Sequence, residues 1–212
     1  MSHVKIEGSL PPHLDSDNKN VQVPEQLLDI PHSSNPIVSA NAYLGAREIV
    51  LGLHHGADII IAGRVADASP VIGAAWYWHS WDSTSYDELA GALIAGHLIE
   101  CSGYVTGTNF SGFYEYPLDE LYDVSFGIVE VERDGSCVVT KHDGKRGFVN
   151  EDTVKSQFLY ELQGNVYLNS DVRGVLDGVV VKGEGRNRLV LLFSLSSSST
   201  TMRPCFRLFR RR

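Results

Sequence analysis

Apolar residues change their spacing several times along the chain, and each change marks a boundary. Residues 1–36 hold five of the eight prolines and a polar run of Asp15, Asp17, Asn18, Lys19 and Asn20. They show no sustained helical or strand period and read as an irregular arm. From Ile37 a period emerges. Ile37-Val38-Ser39 suits a short strand, and Asn41 is placed to cap a helix that carries Ala46, Ile49, Val50 and Leu53 on one face, with Gly56 after its end. Residues 57–62, Ala-Asp-Ile-Ile-Ile-Ala, form a nearly unbroken apolar run. Such a run predicts a strand covered on both faces, as in a parallel sheet. Ser69-Pro70 then opens a second helix. Ser85-Tyr86-Asp87-Glu88 has the capping-box pattern of a third, which continues through Ala90, Leu93, Ile94 and His97 to Cys101 before Gly103 stops it.

Alternating strand and helix predict an α/β fold for the first half, with a mainly parallel sheet and flanking helices. Beyond Gly103 the pattern changes again. Asp134-Gly135 separates the apolar-rich runs 126–131 and 137–141, a short-range hairpin signal. Asn150 caps one more amphipathic helix bearing Val154, Phe158, Leu159 and Leu162. The second half is therefore expected to be a hairpin-containing α+β extension. Three segments result: an arm over 1–36, an α/β domain over 37–188 and a Ser/Arg-rich tail over 189–212.

Charge sharpens this division. The 212 residues carry 18 Lys and Arg against 26 Asp and Glu, a net −8, yet residues 1–188 sum to −13 and the tail to +5. An acidic body opposes binding to a phosphate backbone, so no nucleic-acid partner is expected. The tail, five Arg with no acid behind a Ser/Thr run, fits neither a core element nor a cap; non-native or frame-shifted sequence is the favoured reading, ahead of a basic or disordered end. No apolar stretch reaches the roughly 18–20 residues of a membrane span, and residues 1–8 lack the apolar core of a secretory signal. A cytoplasmic protein without membrane attachment is expected. Cys101, Cys137 and Cys205 match no metal-finger spacing and read as free thiols, and no metal is expected.

Three constellations have chemical potential. Arg64 and Asp67 follow the predicted strand at 57–62, where open α/β sheets bind ligands, and Arg64 suits a carboxylate or phosphate; a local Arg64–Asp67 pair that stitches the loop is the plainer alternative. His97, Glu100 and Cys101 stand at i, i+3 and i+4 and share a helix face. They suit a Cys–His nucleophile, a Glu–His acid–base pair or zinc ligation, against the alternative of a packed helix end. Lys145 and Arg146, in the loop 141–147, are placed to receive phosphates of a coenzyme A or nucleotide, or simply to face solvent. Absent are G-x-S-x-G, a P-loop, G-x-G-x-x-G after a strand and H-E-x-x-H, which disfavours the standard hydrolase, NTPase, Rossmann and zincin classes.

The runs Ala40-Asn-Ala-Tyr-Leu-Gly-Ala-Arg47, Gly56-Ala-Asp-Ile-Ile-Ile-Ala-Gly-Arg-Val-Ala-Asp-Ala-Ser69, Ala95-Gly-His-Leu-Ile-Glu-Cys101 and Val105-Thr-Gly107 resemble, in order and spacing, the acyclic terpene utilisation (AtuA-like) family. The resemblance continues through 135–141 and the helix 153–161. It implies a place among enzymes that break down citronellol, geraniol and related branched acyl-CoA compounds. The family's N-terminal strand–helix units and its continuation after Asn187 have no counterpart, so a truncated member is expected. The implied function is an enzyme of acyclic terpenoid or branched acyl-CoA catabolism. His97, Glu100 and Cys101 would be catalytic, and Asn41, Arg64, Asp67, Lys145 and Arg146 would bind substrate. A non-catalytic ligand-binding or scaffold subunit of a carboxylase or hydratase complex, or an inactive fragment, is the alternative. A small-molecule substrate is expected, an acyl-CoA or terpenoid acid; no cofactor is identified, and a homo-oligomer is compatible with the sequence.

Overall fold

The computed structural model describes residues 43–162 and 164–192. Three helices come first among the described residues: α1 (Arg47–His54), α2 (Ser69–His79) and α3 (Tyr86–Ile99). A π-helical turn (Tyr104–Thr108) and two 3-10 turns (Phe113–Glu115 and Leu118–Glu120) follow, then β1 (Gly127–Val131), β2 (Cys137–Lys141) and α4 (Glu151–Leu159). The last four elements are β3 (Val166–Leu168), β4 (Arg173–Val175), β5 (Val180–Gly185) and β6 (Arg188–Leu192).

The strands form a four-stranded sheet in the order β1-β2-β6-β5 and a separate β3–β4 pair, every pairing antiparallel. This overturns the mainly parallel sheet expected for the first half. Residues 57–62 make no strand, and Ile59 and Ile61 stand 81% and 95% exposed. A β-branched run becomes a strand only where neighbours supply N–H and C=O partners on both sides. Among the described residues, parallel contacts are confined to two isolated bridges, Leu44–Val65 and Val124–Arg146. The predicted strand at 37–39, the arm 1–36 and the capping role of Asn41 lie outside the described residues.

The Asp-Gly hairpin is present as expected: β1 and β2 pair in register from Gly127–Lys141 to Val131–Cys137. Gly135 turns the chain at φ +83°, and a Cβ there would meet the Glu88 backbone at 2.7 Å. From the other side, a Cβ on Gly91 would meet the Gly135 carbonyl at 2.0 Å. Two glycines thus let the hairpin press directly onto the start of α3. The Asn150 cap is also present, as a reciprocal box in which Thr153 N–H donates to Asn150 Oδ1 at 2.9 Å. Ser85 stands at the N-cap of α3 but its hydroxyl accepts from Asp82 N–H instead of a helical amide.

Helix α3 separates two apolar clusters and is buried without interruption from Gly91 to Leu98. On one side Ile72, Trp76, Leu89 and Leu93 pack with Val50 and Val172; on the other Ile94, Leu98, Val105 and Val154 pack with the sheet. Leu189 and Leu191 of β6 belong to that second cluster. The core therefore runs past residue 188, where composition placed the start of the tail, because alternate leucines of β6 are buried in this cluster before the Ser/Thr run begins. Residues 193–212 lie outside the described part. Among the described residues no helix is long and apolar enough to cross a membrane.

Candidate functional site

The last turn of α3 carries polar groups into this apolar interior. Small residues make room for it: a Cβ on Gly96 would meet the Ala68 backbone at 2.8 Å, so α2 and α3 touch closely there. One turn on, His97 is 1% and Glu100 6% exposed at the side chain, with His97 Nδ1 3.3 Å from Glu100 Oε1. His97 Nε2 lies 3.2 Å from the Phe158 carbonyl, and the Gln157 amide donates to the His97 carbonyl at 2.9 Å, joining α3 to α4. The Tyr167 ring meets the imidazole edge-on at 5.0 Å.

Protonation follows from these contacts. A carbonyl can only accept, so the Phe158 bond places a proton on Nε2. In a neutral imidazole Nδ1 would then turn a lone pair toward the Glu100 carboxylate. The two would then face each other as acceptors at 3.3 Å in an apolar interior, a contact that no hydrogen bond satisfies. Alignment is nevertheless loose: His97 Nδ1, Glu100 Oε2 and Gln157 Oε1 are buried without a hydrogen-bond partner. A buried imidazole and carboxyl in contact, each with a polar atom left free, are groups suited to proton transfer.

Cys101 continues from the helix to the surface. It is half-buried and lines an open groove of about 490 Å³ with Tyr104, Leu121, Asp123, Val124 and Phe126. Burial raises its thiol above the usual value, and the negative charges of Glu100, Glu161 and Asp67 raise it further. The same causes, burial first and then Glu100, Asp67 and Glu161, hold the Tyr167 hydroxyl in its neutral form. Both nitrogens of His97 face Phe158 and Glu100, so the Cys–His nucleophile arrangement is not assembled.

The structure divides the residues proposed from sequence. His97, Glu100, Cys101 and Asp67 lie within electrostatic reach of one another. Arg64 is exposed, with its guanidinium 4.6 Å from the centre of the Tyr43 ring. Lys145 is exposed, while Arg146 stacks 3.6 Å over Tyr122 and leaves Nη1 buried without a partner. Its backbone pairs with Val124, a wall of the groove. Asn41 lies outside the described residues. Gln157, Glu161 and Tyr167 were not singled out from sequence. Gln157 offered one signal: it stands three residues after Val154, on the apolar stripe of its helix, where a polar side chain needs a reason. Among the described residues, no three His, Cys, Asp or Glu side chains converge to hold a metal ion.

A family model matches residues 6–200, nearly the whole chain, and is described as acyclic terpene utilisation family protein AtuA. The chain belongs to the acyclic terpene utilisation family. Neither the curated proteins nor the solved structures contain a match. Within this AtuA-family chain, two of the runs that carry the resemblance meet at the α3 terminus: the one ending in His97-Leu98-Ile99-Glu100-Cys101 and the one containing Asp67.

Proposed function

We propose that this family member is a cytoplasmic enzyme of acyclic terpenoid or branched acyl-CoA breakdown, with His97 and Glu100 as its proton-transferring pair. The observation that carries this reading is the buried imidazole–carboxyl contact at 3.3 Å, which leaves Glu100 Oε2 unpartnered. Three acids, Asp67, Glu100 and Glu161, make the surroundings of Cys101 negative. A phosphate or free carboxylate would be repelled there, so the neutral thioester and its hydrocarbon chain are the parts of an acyl-CoA suited to this end of the groove. Arg146, behind the groove wall with Nη1 unpartnered, is the nearer candidate for an anionic group, and Lys145 stands in solvent beside it in sequence. Cys101, held as a thiol, serves as a groove wall or hydrogen-bond donor rather than a thiolate.

The test substitutes His97→Gln and Glu100→Gln separately in the full chain and measures turnover of citronellyl-CoA and geranyl-CoA thioesters. Loss of about 100-fold or more with a retained cooperative melt is expected. Unchanged turnover would remove the pair from any mechanism. A second reading, a non-catalytic ligand-binding subunit, is favoured by the position of Arg64, which stacks on Tyr43 and does not join the His97–Glu100 pair. Thermal stabilisation by these thioesters without turnover would select it.

A further inference from the structure

The segment between the π-helical turn and β1 is a small lobe with two unlike sides. Its inner side is tightly held. Tyr116 stacks on Phe148 at 3.8 Å, its hydroxyl accepts from the Asn150 amide at 2.7 Å, and Gly147 N–H donates to the Glu120 carbonyl at 2.9 Å. The outer side exposes Phe113, Tyr114, Leu118 and Tyr122, with Tyr114 and Leu118 more than 70% in solvent. Exposed acids, Glu115, Asp119 and Asp123, alternate with them. Large apolar side chains exposed this closely along a pinned segment mark an interaction site.

Charge identifies the occupant. From Val65 to Glu132 the chain carries eleven Asp and Glu and not one Lys or Arg. The nearby guanidinium, Arg146, is already stacked against Tyr122. Anionic lipid headgroups and nucleic-acid phosphates are repelled by such a field, whereas a cationic protein segment is drawn to it. Exposed Tyr and Phe on a pinned lobe are rigid anchors that lose little freedom on binding, and Arg and Lys heads stack on their faces. We propose that the outer face of residues 113–122 docks a partner protein through a segment in which Lys or Arg alternates with apolar residues.

A fluorescent peptide of alternating Lys and Leu, titrated into the full chain at low and moderate salt, tests this. Specific binding should weaken about tenfold in the charge-preserving double variant Tyr114→Ser/Leu118→Ser. In Glu115→Gln/Asp119→Asn it should weaken and lose part of its salt dependence. Glu151→Gln/Asp152→Asn removes two exposed acids from α4 and should leave affinity unchanged. Equal weakening by the α4 variant, or no loss in the apolar variant, would reduce the effect to diffuse charge and overturn the proposal. Binding to phosphatidylserine vesicles in preference to the peptide would do the same. So would concentration-dependent dimerisation abolished by the Tyr114→Ser/Leu118→Ser change, which would assign the face to a second copy.

Discussion

Two β-branched runs of nearly the same character meet opposite fates. Ile59-Ile60-Ile61 lies in irregular backbone with all three side chains exposed, whereas Val138-Val139-Thr140 is the middle of β2, with Val139 fully buried. Their intrinsic β preference is equal; what differs is company. Strand β2 is hydrogen-bonded on one edge to β1 and on the other to β6, and α3 covers its face. Residues 59–61 have no ladder among the described residues, and only Ile60 turns back, toward Gly52 of α1. β-propensity therefore describes how well a side chain suits a pleated, half-covered surface, and it becomes stability only where a sheet exists to receive it.

The sharpest way to break the contrast is to remove a side chain that gives β2 its company. Leu191 of β6 is fully buried opposite Cys137. Leu191→Ala should cost about 2–5 kcal/mol, read as a lower midpoint in denaturant with an unchanged slope. A smaller effect comes from Cys137 itself, whose thiol is pushed up to about 12 by burial from an ordinary value of 9.0. Below pH 9 both folded and unfolded chains keep the thiol proton. As pH rises from 9 toward 12 the unfolded chain releases it first, so stability should fall by up to about 1.4 kcal/mol per pH unit. Cys137→Val should remove that share of the alkaline slope, measured by denaturation at pH 8, 9 and 10. The smallest effect is expected at the exposed run, where Ile61→Ser should change stability by less than about 0.5 kcal/mol. A large loss there would mean that residues 57–62 are covered in solution and would erase the distinction.

Much of the second half was legible because its signals are local. Asp134-Gly135 forces a tight turn through a glycine at positive φ, and Asn150 meets Thr153 three residues later, so neither depends on distant chain. The spacing of His97, Glu100 and Cys101 was legible for the same reason: a helix brings i, i+3 and i+4 together by geometry alone. Gln157 and Tyr167 were not, since they arrive from α4 and β3, sixty or seventy positions away, and no spacing rule connects them to His97. Arg64 was placed on the assumption of a strand at 57–62; that ladder is not formed, and its guanidinium stands over the Tyr43 ring instead.

The acid excess over residues 1–188, the positions of turns and caps, and the pairing of an imidazole with a carboxyl on one helix face were determined by the sequence itself. Tertiary structure alone decided which apolar runs became strands, that their pairings are antiparallel, and that His97 and Glu100 meet in an apolar interior. The reason is physical. Periodicity and capping are settled within a few residues, but burial and hydrogen-bond company depend on what the rest of the chain brings alongside.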